Sequence, residues 1–214
     1  KVFYAVQPDQ PPQVQDKLQQ DLLASNLVDP IVLDPHHPSD FVHSCSKGGV
    51  AERLVQLRES QQPHLAIELL KYCAFVHYGG GLYLDSTSPL VDTFDHILFS
   101  KSSTTTTTTN MAVLNDAFLP RSIHGALLRL QNDDDNNDNN NNGGGGVANG
   151  MLQILLTTSL PVLESSPLLL TKSLYDLIAA KAGVAGKLSA GAVGDDWFFL
   201  QHSCTVDPLG GRQM

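Results

Sequence analysis

The stretch from residue 65 to residue 85 constrains this chain more than any other part of it. Leu65, Leu69, Cys73 and Val76 fall on one stripe at helical spacing, and Ile67, Leu70 and Ala74 widen that stripe over much of the circumference. A helix so apolar is buried on most sides and has to pack against a sheet or other helices. Gly79-Gly80-Gly81 ends it, because residues without a Cβ let the backbone turn sharply or approach a bulky ligand. Leu82-Tyr83-Leu84 then reads as a very short strand that delivers Asp85 at its carboxyl end. Ligands of open α/β sheets gather at that edge, which makes Asp85 a candidate site residue. Glu68 and Lys71 stand three apart on the helix, where they can pair or face a common ligand.

The rest of the chain alternates strand and helix signals. Residues 1–6 are β-rich and run into Pro8, Pro11 and Pro12, residues 13–24 look helical, and residues 30–34 read as a second strand stopped by Pro35-His36-His37-Pro38. Residues 50–58 form a short amphipathic helix. Further on, residues 111–114 are strand-like, residues 122–130 helical, residues 151–157 and 171–182 helical, and residues 197–201 a late strand. Two low-complexity segments, 102–109 and 132–146, cannot bury enough apolar surface to repay ordering and read as disordered surface insertions. This alternation predicts an α/β fold, a mixed sheet flanked by helices.

With 214 residues, 42% of them hydrophobic, the chain is long enough for one such domain, taken here as residues 1–214. The formal net charge of −9 overstates the acidity of the folded part, since Asp133, Asp134, Asp135 and Asp138 share one polar tract. Clustered Lys and Arg are missing, which argues against a nucleic-acid partner and against a charged membrane surface. No apolar run reaches the roughly 18 to 20 residues of a membrane span, so membrane attachment would need an anchor not present in these residues. The start at Lys1 and the unfinished end at Met214 read as a fragment or trimmed ectodomain. Three cysteines leave at most one disulfide, with Cys45 and Cys204 the favoured pair if one forms, and the redox compartment stays open.

The run Ala66-Ile67-Glu68-Leu69-Leu70-Lys71-Tyr72, continuing through Tyr78-Gly79-Gly80-Gly81-Leu82-Tyr83-Leu84-Asp85-Ser86-Thr87 to Pro89-Leu90, resembles the signature of the DXD-containing sugar-transfer glycosyltransferases. That family includes the initiating α-1,6-mannosyltransferases of yeast and capsular polysaccharide synthesis transferases, in which a helix A-D-L-x-R-Y leads through Y-G-G-x-Y-L-D-x-D to a Pro-Leu step. Weaker echoes are Asn115-Asp116-Ala117-Phe118, similar to a strand that follows the motif, and Ser165-Ser166-Pro167-Leu168 with Thr171-Lys172, similar to a T-G-P-x-x-[LF]-T step. The resemblance covers about 25 residues.

It implies a GT-A-like, Rossmann-type fold and a hexose transferred with retention from a nucleotide-diphosphate sugar donor to a glycan or glycoconjugate acceptor. It implies Mn²⁺ or Mg²⁺ at the aspartate motif, where a divalent ion offsets charge on the leaving diphosphate. It places Asp85 at the catalytic centre as metal or ribose contact, and Glu68, Lys71, Tyr72, Gly79, Gly80 and Tyr83 around the donor. It further implies a type II membrane protein of the Golgi lumen in the intact form, with a cytoplasmic bacterial-type relative as the alternative. The chain departs from the pattern at Thr87, where a second aspartate belongs, at Glu68 for Asp, and at Lys71 for Arg, which gives up bidentate geometry. Asp92 or Asp95 is a candidate replacement carboxylate, and His202 a candidate late metal ligand. These departures motivate an alternative, a catalytically inactive GT-A-fold module that binds a nucleotide sugar or glycan.

Other polar clusters are weighed more modestly. His36-His37 beside Asp34 reads as a solvated loop, His77 as a helix-end residue favourable to the dipole, and Asp195-Asp196 as a solvated turn. No G-x-S-x-G, P-loop or H-E-x-x-H pattern is present.

Overall fold

The computed structural model describes residues 1–5, 31–38, 40–45, 49–85, 110–115, 119–131, 146–184, 187–193, 197–201, 205–206 and 212–213. The elements in chain order are strands β1 (Val2–Ala5) and β2 (Ile31–Leu33), helices α1 (Phe41–Ser44), α2 (Val50–Glu59) and α3 (Pro63–Tyr78), and strands β3 (Gly80–Leu84), β4 (Asn110–Leu114) and β5 (Ile123–Gln131). Helices α4 (Val147–Thr157), α5 (Leu160–Ser165) and α6 (Leu169–Lys181) follow, then β6 (Gly191–Val193) and β7 (Trp197–Gln201). A separate two-stranded pair joins β8 (Thr205–Val206) to β9 (Arg212–Gln213).

The main sheet has seven strands in the order β2-β1-β3-β5-β4-β7-β6. β1 is parallel to both β2 and β3, β4 is parallel to β7, and β5 is antiparallel to β3 and β4 on either side of it. β2, β1, β3, β4 and β7 therefore all point the same way, and β5 and β6 run against them. This is the mixed α/β sheet that the alternation of signals predicts. The helices pack on one face: Phe3, Tyr83, Ala112, Leu128 and Phe199 of the sheet share one core with Leu69 and Phe75 of α3, Met151 and Leu155 of α4, and Leu174 and Ile178 of α6. The opposite face holds a smaller cluster of strand residues, among them Val2, Tyr4, Leu82, Leu84 and Met111.

One element departs from its sequence reading. Residues 122–130 carry leucines at helical spacing, yet Ile123–Gln131 is a strand near the middle of the sheet. Ile123, Leu128 and Leu130 face the helix-covered core and Leu127 faces the other cluster. A strand buried on both faces loses its period of two and cannot be told from a buried helix by pattern. The alternation is disturbed further by a bulge, since Ala112 pairs with Leu128 but Val113 pairs with His124. Residues 13–24 and the low-complexity segments through residue 145 lie outside the described residues.

The junction of α3 and β3 is where glycine is required. Gly79 caps the helix in the left-handed conformation, φ 67°, with its N–H donating to the Phe75 carbonyl. Gly81 has φ 154°, and the ring of Phe3 lies directly over its α-carbon, with the Lys1 carbonyl 2.9 Å from where a Cβ would stand. That ring is fixed by edge-on packing against Phe75, 5.3 Å between centroids. Gly81→Ala should therefore destabilise the fold by about 2–4 kcal/mol through overpacking and backbone strain. Gly125→Ala, whose added Cβ meets nothing within 4 Å, should stay within about 0.5 kcal/mol of wild type. Urea denaturation of the two variants checks this, and equal midpoints would contradict the packing described.

Candidate functional site

Because β5 opposes the parallel strands, its first residues stand at the edge where β3 ends. Leu84 pairs with Leu127, so Asp85 emerges beside the bulge that contains Gly125. The first turns of α3 reach the same edge from above the sheet. Between these elements and the α5–α6 corner lies a cleft of about 370 Å³. Glu68, Lys71, Tyr72, Tyr83 and Asp85 line one wall; His124 and Gly125 form the floor; Ser166, Pro167, Leu170 and Thr171 face them.

Lys71 is the unusual member of the site. It is 1% exposed, in a helix otherwise buried by apolar residues. Its ammonium donates to Glu68 Oε1 at 2.6 Å and sits 4.8 Å from the centroid of the Tyr72 ring and 4.7 Å from that of Tyr83. The carboxylate and two ring faces replace the water lost on burial. The pair thus takes the first of the two arrangements open to it from sequence: Glu68 and Lys71 bind each other. Burial drives the Tyr72 hydroxyl well above its ordinary range, with Glu68 and Tyr83 adding to it, and does the same to Tyr83, helped by Glu68 and Asp85. The carboxylates of Glu68 and Asp85 thus both act on Tyr83.

Five residues predicted from sequence, Glu68, Lys71, Tyr72, Tyr83 and Asp85, come together around this cleft. Gly79 and Gly80 do not line it; they lie at the far end of β3, where Gly80 pairs with Gln131 and borders a separate small pocket of about 30 Å³. Their role is the helix-to-strand turn. Thr87, Asp92, Asp95, Asp195, Asp196 and His202 lie outside the described residues. β7 does end at Gln201 beside Leu114, at the same edge of the sheet as Asp85.

His64, His124, Gly125 and Thr171 were not singled out from sequence as site residues, although Ser166, Pro167 and Thr171 belong to the weaker T-G-P-like echo. His124 was hidden by the helical reading of its strand. At the same edge, Asp34 follows β2 and accepts hydrogen bonds from the His36 N–H at 2.7 Å and the His37 ring at 2.9 Å. Partial burial pushes its carboxyl upward, but the His37 ring, the His36 and His37 amides and the charge of His37 outweigh this and hold it below its usual value. Both histidines are exposed, consistent with a solvated loop. His77, at the end of α3, stacks edge-on against Tyr78 at 4.6 Å.

As a seat for Mn²⁺ or Mg²⁺ the described residues are insufficient. Hard divalent cations take several carboxylate or carbonyl oxygens, whereas here Glu68 is bound to Lys71 and only Asp85 remains as a carboxylate lining the cleft. Among the described residues no group of three or more His, Cys, Asp or Glu converges on a point.

No protein-family profile, curated protein or solved structure matches this chain. Among the described residues no helix is long and apolar enough to cross a membrane.

The ammonium cage generates a direct test. Lys71→Met keeps the volume of the side chain and removes its charge, leaving Glu68 and the two rings without their cation. Glu68 is a quarter exposed, which lets water take up part of the loss, so the cost should be about 1–2 kcal/mol. A double-mutant cycle with Glu68→Gln should give a coupling of about 1 kcal/mol; zero coupling in chemical denaturation would mean that the ion pair contributes nothing.

Proposed function

We propose that this chain is a GT-A-type glycosyltransferase domain that moves a hexose from a nucleotide-diphosphate sugar to a glycan or glycoconjugate acceptor. The observation that carries the proposal is the position of Asp85: it ends a parallel strand at the carboxyl edge of the sheet and borders a cleft of about 370 Å³. A cleft of that size accommodates a sugar nucleotide in part or whole. Five of the seven residues named by the family resemblance line it.

In this reading Asp85 accepts hydrogen bonds from hydroxyls of the donor ribose or sugar, and fixes the donor's position at the sheet edge. The Tyr72 and Tyr83 rings, held by the ammonium between them, keep that wall rigid and largely dry. Ser166 and Thr171 offer hydroxyls from the opposite side, where acceptor or sugar would meet them. The described charges of the cleft are two carboxylates against one ammonium, so a diphosphate entering it needs additional positive charge. The imidazoles of His64 and His124 line the same cleft and offer ring N–H donors to it. Mn²⁺ or Mg²⁺, which the resemblance implies at Asp85, Thr87 and His202, would supply positive charge opposite a leaving diphosphate. By the same resemblance the intact protein is a type II membrane protein of the Golgi lumen.

The binding-module alternative is favoured by one observation: the cleft's single lysine is already neutralised by Glu68, leaving it less able to balance a leaving diphosphate.

Donor binding and donor hydrolysis measured against UDP- and GDP-sugars, with and without Mn²⁺, separate these readings. Asp85→Asn should lower turnover at least a hundredfold while leaving the unfolding midpoint near wild type. Gly125→Leu, which grows a side chain into the open cleft, should weaken donor binding tenfold or more. Binding without turnover would support the module. Donor binding unaffected by both substitutions would remove the cleft from the account.

A further inference from the structure

The cleft-forming helix α3 carries a second chemical feature on its core side. Cys73, 0% exposed, lies one and a half turns after Glu68, and Cys45, 7% exposed, follows α1 in the loop packed across it. The Cys45 thiol donates to the Cys73 carbonyl oxygen at 3.8 Å, which sets its sulfur against the residue that carries the second buried thiol. Two of the three cysteines in 214 residues are thus brought together from positions 28 apart. The sequence favoured Cys45 with Cys204, which lies outside the described residues; among the described residues α1 and α3 share a core that buries Cys45 and Cys73 together.

We propose that Cys45 and Cys73 form a disulfide when the chain folds in an oxidising compartment. Both cysteines are buried in one packed core, with the Cys45 sulfur against the backbone of residue 73, so forming the bond calls for an approach of the two sulfurs within that core. The chemistry is thiol–disulfide exchange with a small-molecule or protein disulfide as oxidant. Cys45, at the loop end, gives up its proton and attacks one oxidant sulfur, releasing a thiolate. Cys73 then loses its proton and attacks the Cys45 sulfur of the mixed disulfide, releasing the second. The two protein thiols lose two electrons and two protons, and the oxidant leaves as two thiols carrying them. Burial and the neighbouring thiol raise the Cys73 pKa, so the second step belongs to folding, before the core closes. The bond ties the loop after α1 to the middle of α3, behind the wall that holds Glu68 and Lys71. This inference is independent of the proposed sugar-transfer activity.

The test is peptide mapping of the full chain, and of its Cys204→Ala variant, after production in an oxidising secretory compartment and alkylation under denaturing, non-reducing conditions. A peptide linked through Cys45 and Cys73 in both proteins is the expected result. Adding reductant should then lower the melting temperature by about 5–8 °C, and Cys45→Ala should melt like the reduced protein. A linked peptide containing Cys204, or alkylation of both Cys45 and Cys73 as thiols, would overturn the proposal.

Discussion

Everything near the candidate site depends on the burial of α3. Ten of its sixteen residues are buried, which is far more than an amphipathic surface helix hides, because it is packed against the sheet, α2 and α4 at once. That burial leaves no route to water for the side chain at position 71. An ammonium taken into such an interior costs several kcal/mol unless it is closely paired. Glu68 one turn earlier and the Tyr72 and Tyr83 rings provide the pairing. Tyr83 belongs to β3, so the same interaction that makes the lysine tolerable also fixes the helix to the strand that carries Asp85.

The strand itself is set by contacts made at its other end. Gly79 ends α3 in a conformation that favours glycine, and Gly81 lets β3 pass beneath Phe3, where β1 and β3 pair. Five residues later the chain reaches the opposite edge of the sheet. The glycines therefore act on the site from a distance of one strand length, by deciding where Asp85 emerges. The bulge in β5 completes the arrangement: skipping residues between Leu128 and His124 in the pairing with β4 opens the sheet beside Asp85, and Gly125, lacking a side chain, leaves that opening empty. Bulges commonly re-aim side chains next to binding sites, and this one exposes His124 to the cleft.

Much of this was legible in the sequence, for identifiable reasons. α3, β3, β4 and β7 were readable because a long apolar period, a triple glycine and β-rich runs each have one dominant structural meaning. Spacing made the Glu68 and Lys71 relation and the place of Asp85 at the strand end readable, while Tyr72 and Tyr83 joined them only through the motif resemblance, all five lying within one continuous helix-turn-strand unit. The remaining wall was not. β5 was taken for a helix since burial on both faces and a bulge erased its alternation, and with it His124 was lost. Ser166 and Thr171 come from a corner some eighty residues beyond Asp85, and only packing of α6 against β5 brings them across. Gly79 and Gly80 were assigned to the donor from their place in a motif, and motif order does not distinguish the two ends of a strand.

The cage also determines which acid is available for chemistry. A carboxylate 2.6 Å from a buried ammonium and only a quarter exposed is already satisfied. Separating Glu68 from it would leave Lys71 buried with only ring faces around it, a loss larger than a single neutral hydrogen bond offsets. Asp85 stands where the strand ends, half-buried, and borders the same cleft. The Glu68–Lys71 pair thus belongs to the rigid framework of the cleft, whose lining also includes Asp85, His64, His124, Ser166 and Thr171.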